Sequence, residues 1–441
     1  MGLVIDAHTL GDLEIFDSGT DDPSLFDFCN GTRSDGGARA LRRRMEQPWS
    51  SADDILGTQA AIRFILVHRQ VFEELPSSYL MNRADHYRQE VLPMIEAKGS
   101  LEFGLTALSL WANQRSHYTS MLLGVQVTQR FIRILRSVLR ELTPLNPQGE
   151  LKKMVADMNA LLERDAIKGV PDQEAKRLWK VLRLDQLFRL YEKNTIVQLQ
   201  QLVFEMDALI AMADVTRDKG YSLPELLSGP MAVDAEGLTH PFLDEPVANS
   251  VHLDQERRVM FITGPNMAGK TTYLRAVATA FFLAHLGMGV PATNFRFVPA
   301  ERLTTSINLA DDLRAGISYF RAEALRVKSI AEAIGTGEKV FALMDEPFKG
   351  TNVKDALDAS LAILFRFSKR EDCLFMFSSH LIELHEQLTD TASIDCRFFE
   401  ADDTGEKLRF DYKLKAGVSS QRLGMRVLAQ EGVFDLLDKN S

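Results

Sequence analysis

The chain has 441 residues, a formal net charge of −10, 45% hydrophobic residues and 25% charged residues. This composition is ordinary for a globular protein, and it excludes a disordered, collagen-like or disulfide-scaffold protein. At roughly 150 residues per domain, the length suggests two or three domains. Contacts to nucleic-acid phosphates need Lys and Arg, so an acidic chain is a poor non-specific DNA binder. Both parts are acidic when the chain is divided at Pro230, so DNA binding would need a local basic face or a partner.

Cysteine spacing and the N-terminus bear on the compartment. Cys29, Cys373 and Cys396 are far apart and form no CxxC spacing, so we expect neither a zinc site nor a disulfide framework. A reduced, cytoplasmic location fits this pattern. The first ten residues lack the basic start and apolar run of a signal peptide. Residues 276–295 contain no Asp, Glu, Lys or Arg, but their glycines and proline predict a buried helix and a buried strand rather than a membrane span.

The pattern from residue 51 to about residue 219 is helical. Residues 101–142 contain no proline, and their apolar side chains recur at helical spacing, which predicts one helix of about 60 Å. Residues 174–218 predict a second long helix, and residues 143–169 predict the tip of a helical hairpin. Long helices of this kind favour a lever or scaffold domain over a catalytic pocket.

A change of pattern follows over residues 220–246, which we interpret as a domain junction because prolines and glycines cluster there. Beyond it, apolar runs at residues 258–263, 340–344 and 373–378 alternate with helical segments. Buried apolar strands interleaved with helices predict an α/β domain with a mainly parallel sheet. We therefore expect a helical domain over residues 1–225 and an α/β domain over residues 226–441.

The sharpest motif is a glycine-rich loop, residues 264–271, which fits G-x-x-x-x-G-K-[ST] at every fixed position. A predicted strand precedes it and a predicted helix follows it, as this phosphate-binding motif requires. Backbone N–H groups would hold a β-phosphate, Lys270 would neutralise phosphate charge and the Thr271 hydroxyl would bind Mg²⁺. The ATP-binding residues predicted here are Gly264, Pro265, Asn266, Met267, Ala268, Gly269, Lys270, Thr271 and Thr272.

Polar residues end two of the later apolar runs. Asp345 and Glu346 follow residues 340–344, and in a nucleotide-hydrolysing site Asp345 would hold Mg²⁺ while Glu346 would polarise the attacking water. His380 follows residues 373–378, and from there it would reach a γ-phosphate or the catalytic water. A lone histidine is often only a surface or packed residue, which is the alternative for His380.

Together these motifs resemble the ATPase domain of the MutS mismatch-repair family. Pro-Asn-Met inside the glycine-rich loop is the most specific element. The other elements follow in the family's order, and they are Thr239-His-Pro241, Val247-Ala-Asn249, Ala310-Asp-Asp-Leu313, Gly316-x-Ser318-x-Phe320, Met344-Asp-Glu346, Gly350-Thr351 and Ser379-His380. Residues 417–424 resemble the turn before the helices that pair two ATPase domains, and residues 6–15 resemble the start of the family's core domain.

The resemblance implies an all-helical core or lever domain followed by an α/β P-loop ATPase domain of the ABC type, which uses ATP and Mg²⁺. Such domains dimerise head to tail, so a homodimer with composite sites is implied, in which Ser318 acts in trans on the partner's γ-phosphate. Val247 stands where relatives carry an aromatic residue that stacks on adenine. Tyr412 falls where another base-contacting residue lies, and it could compensate for Val247.

Departures from the family pattern shape the expected function. The chain starts where the core domain starts, so we expect the mismatch-reading and connector domains to be missing, and residues 143–169 leave no room for a clamp domain. Phe348 and Lys349 replace the family's Gly-Arg, but Asp345 and Glu346 are intact and we expect hydrolysis.

A basic helical face is the visible candidate for a DNA contact. Its members are Arg130, Arg133, Arg136 and Arg140. They predict a phosphate-tracking strip, and the alternative is a face that is solvated or paired with acidic neighbours. We therefore expect an ATPase of the DNA-repair type whose contact with DNA, if any, is not mismatch-specific. The alternative is an ATP-driven conformational switch that binds protein or RNA, and neither function involves a membrane.

Overall fold

A computed structural model describes residues 2–17, 19, 21–90, 92–93, 95–96, 99–307, 319–381, 383–388, 391–402, 408–419, 421 and 423–438. The chain forms two compact units. One unit contains residues 28–46 and 56–217 and is helical, and the other contains residues 1–27, 47–55 and 218–441 and is built on β-sheets. The predicted combination of a helical region with an α/β region is therefore confirmed.

Helices account for most of the regular structure. The described residues form α1 (Ala7–Asp12), α2 (Leu25–Cys29), α3 (Asp35–Glu46), α4 (Ala52–Val67), α5 (Ser78–Gln89), α6 (Ser100–Asn113), α7 (Arg115–Leu142), α8 (Gly149–Leu162), α9 (Asp165–Lys168), α10 (Leu178–Gln186), α11 (Lys193–Asp218), α12 (Lys270–His285), α13 (Tyr319–Gly335), α14 (Val353–Phe367), α15 (Glu383–Leu388), α16 (Gly424–Gln430) and α17 (Val433–Asp438). Short 3₁₀ helices lie at Arg69–Glu74 and Thr143–Leu145, and a π-helical turn lies at Leu187–Tyr191.

The strands are short and belong mostly to the second half of the chain. They are β1 (Val4–Ile5), β2 (Glu225–Leu226), β3 (Val233–Leu238), β4 (Asn249–Leu253), β5 (Val259–Thr263), β6 (Asn294–Phe297), β7 (Arg302–Ser306), β8 (Val340–Asp345), β9 (Cys373–Ser378), β10 (Ile394–Phe398), β11 (Ala401–Asp402), β12 (Arg409–Phe410) and β13 (Lys415–Ala416).

A seven-stranded sheet forms the centre of the α/β unit, in the order β1-β7-β8-β9-β5-β10-β13. All neighbouring pairs are parallel except β10 with β13. Every residue of β5, β8 and β9 is buried, which explains why these strands are continuous apolar runs rather than alternating ones. A separate four-stranded sheet has the order β2-β6-β3-β4. Because β8, β9 and β5 are adjacent and parallel, the residues that follow them meet at one edge of the sheet.

The N-terminal residues pack with this sheet. β1 pairs in parallel with β7, and the buried Asp12 of α1 accepts hydrogen bonds from the Thr305 hydroxyl at 2.7 Å and the Ile307 N–H at 2.9 Å. These contacts join residues almost 300 positions apart, so the local pattern of the sequence could not indicate them. The contacts therefore group residues 1–27 with the α/β unit, whereas the sequence assigned all of residues 1–225 to a helical domain.

The helical unit departs from the prediction of two uninterrupted helices. Residues 101–142 form α6 and α7, because Gln114 leaves the helical conformation with φ −135° and ψ 55°. Residues 174–218 are also divided, since α10 ends at Gln186 and a π-helical turn separates it from α11. Both single-helix predictions are wrong, because apolar periodicity continues across a local break that changes only a few dihedral angles. The predicted hairpin tip contains α8 and α9.

One helix among the described residues, Lys193–Asp218, is long and apolar enough to cross a membrane, and 67% of its most apolar stretch is buried inside the protein. Burial of this extent is typical of a helix in a protein core. Residues 276–295, which lack charged side chains, contain the end of α12 and the first two residues of β6.

The fully buried His285 provides a test of packing at the end of α12. Its Nδ1 lies 2.8 Å from the Phe281 carbonyl oxygen, and its Nε2 accepts the Ala300 N–H at 3.0 Å, so the neutral ring satisfies both neighbours. Burial lowers the pKa of His285 from 6.5 to about 4. Below pH 6.5 the unfolded chain therefore binds a proton that the folded chain excludes, and the free energy of unfolding falls as the pH falls.

We expect wild type to lose up to about 2 kcal/mol of stability through His285 between pH 6.5 and 5, and His285→Gln to lose less over the same range. Urea unfolding at pH 7.5, 6.5 and 5 measures how the free energy of unfolding changes with pH. A destabilisation by the substitution that is the same at every pH does not affect this slope. The control His117→Gln, at an exposed site on α7, should keep the wild-type slope. An identical slope in His285→Gln would show that His285 is not excluded from protonation.

Candidate functional site

The glycine-rich loop joins β5 to α12, as the sequence predicted. Three of its residues have left-handed backbones, Gly264 with φ 144°, Met267 with φ 70° and Gly269 with φ 99°. A Cβ atom on Gly264 would lie 2.6 Å from the carbonyl oxygen of Phe399, so only glycine fits there. The loop therefore turns sharply at both ends, and it places the first N–H groups of α12 at the carboxyl edge of the sheet.

Lys270 is the first residue of α12, and its side chain turns back into the loop. Its Nζ donates to the Gly264 carbonyl oxygen at 2.8 Å and to the Pro265 carbonyl oxygen at 3.2 Å. The same Nζ lies 3.3 Å from Glu346 Oε1, and the residue is only 5% exposed. A buried ammonium needs hydrogen bonds and an opposite charge, and the loop and Glu346 supply both.

A polar triad of Thr271, Asp345 and Ser378 links α12, β8 and β9 at the carboxyl edge of the sheet. The Thr271 hydroxyl, from α12, donates to Asp345 Oδ2 at 2.5 Å, and the Ser378 hydroxyl, from β9, donates to Asp345 Oδ1. Asp345 and Ser378 are direct partners in the ladder between β8 and β9, so the sheet register fixes this arrangement. Asp345 thus holds two hydroxyl groups at once, and its carboxylate is fixed in orientation.

Glu346 follows with a left-handed backbone of φ 46°, and its N–H donates to Ser378 Oγ at 3.0 Å. Its Oε1 faces Lys270, and its Oε2 lies 3.2 Å from Lys349 Nζ. Burial raises the pKa of this carboxyl, but the charges of Lys270 and Lys349 outweigh that effect, so the pKa lies below its ordinary value. The carboxylate is therefore ionised at neutral pH, as a group that orients or deprotonates water must be.

His380 lies near the same carboxylate. Its Nδ1 is 3.9 Å from Glu346 Oε2, beyond hydrogen-bonding distance, and its side chain is 59% exposed. The structure thus brings His380 to the edge of the sheet that carries Asp345 and Glu346. Its predicted role toward a phosphate or a water molecule stays a prediction.

A cavity of about 680 Å³ lies beside the loop, and both predicted base-contacting residues line it. Its wall includes Val247, Tyr412, Lys270, Thr271, Thr272, Asp345 and Glu346. Asn249 joins the two segments that carry Val247 and Tyr412, because its Nδ2 donates to the Tyr412 carbonyl oxygen at 2.9 Å and its Oδ1 accepts the Leu414 N–H at 2.8 Å. The size suits a small organic ligand.

Ser318 lies outside the described residues, as do Gly316 and residues 310–313, so the trans-acting role remains a prediction. The described residues that follow it in the sequence form α13 (Tyr319–Gly335).

The four arginines of the basic face lie on α7 in the helical unit. Arg130 pairs with Glu174 at 3.0 Å, and Arg133 donates to the Asp172 carbonyl oxygen at 3.2 Å. Arg136 bonds to the Asp172 carboxylate and to carbonyl oxygens of residues 167, 168 and 170. Arg140 is exposed. Three of the four guanidinium groups therefore bind the segment of residues 167–174, which is the paired arrangement that the sequence left open.

Residues 260–436 match the family model of MutS domain V. Residues 260–436 are therefore a domain of the MutS family. Domain V is the ATPase domain of that family, so an ATPase-type function follows in general terms. The match begins inside β5 and ends inside α17, and it includes most of the elements on which the resemblance rested.

Two residues of this site were given no role from the sequence. Ser378 contacts both the Asp345 carboxylate and the Glu346 N–H, whereas the sequence indicates His380 as the functional residue at the end of that strand. Lys349 contacts Glu346, although it was noted only as a departure from the family's Gly-Arg. A basic residue three positions after a predicted catalytic carboxylate is an available signal for Lys349, whereas the contacts of Ser378 depend on the register between β8 and β9.

Replacing Gly264 tests the geometry of the loop. Gly264→Ala places a Cβ atom against the Phe399 carbonyl in a left-handed backbone, which costs on the order of 1–3 kcal/mol and displaces the loop. We expect a lower melting temperature and loss of ATP binding, measured by thermal unfolding and calorimetry. Gly335→Ala is the matched control, because nothing lies within 4 Å of its Cβ position, and it should behave as wild type. Wild-type binding by Gly264→Ala would contradict the described loop.

Proposed function

We propose that this chain binds ATP with Mg²⁺ and hydrolyses it to ADP and phosphate. One observation carries the proposal. The Lys270 ammonium, the Thr271 hydroxyl and the Asp345 and Glu346 carboxylates meet where β5 and β8 end, beside one cavity. Ligands of open parallel sheets bind at this carboxyl edge, and a helix N-terminus beside it favours phosphate.

The residues that would hold Mg²⁺ are Thr271 and Asp345. Mg²⁺ prefers hard oxygen ligands, and in nucleotide sites it takes one or two protein oxygens while water and phosphate supply the rest. The Thr271 hydroxyl and the Asp345 carboxylate are such ligands, and their oxygens lie 2.5 Å apart. When bound, Mg²⁺ would neutralise charge that develops on the phosphates.

The chain's own residues would perform the remaining work. N–H groups of residues 264–271 would bind the β-phosphate, and Lys270 would exchange its loop carbonyls for phosphate oxygens. Ionised Glu346 would accept a hydrogen bond from a water molecule and orient its oxygen toward the γ-phosphorus. The water oxygen bonds to the γ-phosphorus as the bond to the bridging oxygen breaks, the Glu346 carboxylate accepts the proton that the water loses, and ADP leaves.

We further propose a homodimer formed through the α/β unit, with Ser318 acting on the partner's nucleotide. MutS-family proteins function as dimers, and the residues of this chain that would form such a contact expose apolar side chains. In α16 and α17 these are Met425, Leu428, Leu436 and Leu437, with exposures of 69, 43, 64 and 66%. Exposed apolar groups of this size are typical of a protein-binding surface.

We propose that the helical unit changes conformation with the nucleotide state of the ATPase domain. We also propose that it contacts DNA without recognising mismatches. The family relationship supports DNA. Arg130, Arg133 and Arg136 already bind acceptors within the helical unit, so they are less available to bind DNA phosphates. This observation supports the alternative, an ATP-driven switch that binds protein or RNA.

Glu346→Gln tests catalysis, and Lys270→Ala tests binding. We expect Glu346→Gln to bind ATP normally and to lower kcat by about 10²- to 10⁴-fold, because the amide cannot accept a proton from water. Lys270→Ala should lose ATP binding, since the phosphate charge is no longer neutralised. Phosphate release and calorimetry measure the two effects, and Lys328→Ala, at an exposed site on α13, is the control. Equal turnover by wild type and Glu346→Gln would refute the catalytic assignment.

The DNA proposal predicts that homoduplex, mismatched or branched DNA raises ATP turnover at low salt, and that the increase is similar for homoduplex and mismatched DNA. Light scattering with Glu346→Gln and ATP should report a dimer. Arg130→Ala with Arg140→Ala should reduce the DNA response without changing basal turnover, if α7 contributes. No response to any DNA would favour the protein- or RNA-binding switch.

A further inference from the structure

Glu323 is a buried acidic residue on α13, outside the cavity and the triad. It is 2% exposed and lies near the start of the helix. Burying a carboxyl group is costly unless hydrogen bonds compensate for the lost water. A glutamate on an amphipathic helix would ordinarily face solvent, so its burial needs a specific reason.

The reason is a contact with the turn of residues 348–350, which follows Glu346 in the sequence. Glu323 Oε1 accepts a hydrogen bond from the backbone N–H of Lys349 at 3.2 Å. The N–H groups of Phe348 and Gly350, on either side of Lys349, also lower the pKa of the Glu323 carboxyl. Phe348, the residue before Lys349, has a left-handed backbone with φ 68°. Successive N–H groups in such a turn form a concave anion site, and Glu323 supplies the anion.

The rest of the Glu323 environment offers no other explanation for its position. Its second oxygen, Oε2, is buried and has no hydrogen-bond partner within the part of the chain that the structure describes. Burial raises the pKa of this carboxyl, while the N–H groups and the charge of Lys349 partly oppose that effect. The bond to the Lys349 N–H is therefore the described contact that holds the side chain inward.

The turn of residues 348–350 also determines which charged group lies beside Glu346. Glu346 and Phe348 both have left-handed backbones, and each such residue costs on the order of 1–3 kcal/mol unless neighbouring structure holds it. α13 provides that support twice. The ring centroids of Phe320 and Phe348 lie 6.0 Å apart, and Glu323, one turn later in α13, accepts a hydrogen bond from the Lys349 N–H. Lys349 then reaches back to Glu346 Oε2 at 3.2 Å.

We propose that Glu323 is a positioning residue for ATP hydrolysis, which holds the turn of residues 348–350 and thereby the orientation of Lys349 and Glu346. The inference rests on the proposed ATPase function. Glu323 does not line the cavity, so it acts on the reaction only through this turn.

Substitutions of Glu323 in the full chain test the proposal, because a positioning residue should affect kcat much more than ATP affinity. We expect Glu323→Ala to lower kcat by about 10- to 100-fold, because a small misplacement of a catalytic group has that effect, while ATP affinity changes by less than about twofold. Glu323→Gln keeps an oxygen acceptor and should restore much of kcat. Glu332→Gln is the matched control, since Glu332 lies exposed on the same helix and pairs with Lys328.

A double substitution separates positioning from general destabilisation. In the Glu346→Gln background, Glu323→Ala should cause no further fall in single-turnover rate, because groups that act as a unit are not additive. Full additivity would overturn the proposal, and so would a fall in ATP affinity or melting temperature that accompanies kcat in both Glu323 variants. Wild-type kcat in Glu323→Ala would also overturn it. Absence of turnover in wild type would instead contradict the proposed function itself.

Discussion

The buried charge of Lys270 is the constraint around which the site is organised. An ammonium in a low-dielectric interior is tolerated only with hydrogen bonds and an opposite charge nearby, and removing one partner of such a pair costs about 3–5 kcal/mol. Here two loop carbonyls and the Glu346 carboxylate supply that compensation. The same contact lowers the pKa of Glu346. The glycine-rich loop and the residue that would act on water therefore depend on one another before any ligand is considered.

Sheet register extends this organisation to Asp345, the proposed Mg²⁺ ligand. Asp345 and Ser378 end neighbouring parallel strands as direct partners, so a shift of either strand would move the hydroxyl away from the carboxylate. Ser378 Oγ also accepts the Glu346 N–H, which supports a left-handed residue that would otherwise be unfavourable. Backbone strain at Glu346 and Phe348 is thus offset by contacts from β9 and α13, and the strain lies where the chemistry is expected.

Contiguous motifs are the part of this protein that the sequence predicts well. The strand, loop and helix around Lys270 and the strand that ends at Asp345 follow from local spacing, and the family match agrees with them. Long-range pairing was not predictable in this way. Nothing local in residues 1–27 indicates that β1 joins β7, and the break at Gln114 leaves the apolar periodicity of α6 and α7 intact. The local sequence predicts that Glu323 is an ordinary surface glutamate. Its hydrogen-bond partner Lys349 is 26 residues away, so the contact can be recognised only in the folded structure.

Charge gives the final constraint on function. A phosphate strip on α7 would require Arg130, Arg133 and Arg136 to exchange partners within the helical unit for DNA phosphates. Each exchange sacrifices a hydrogen bond already made, so the net gain is small and DNA affinity through this face would be weak and strongly dependent on salt. In a chain with a net charge of −10, the proposed DNA contact would therefore be transient, as expected of binding without mismatch specificity. The dependence of ATP turnover on salt and on DNA structure would therefore report which ligand the helical unit serves.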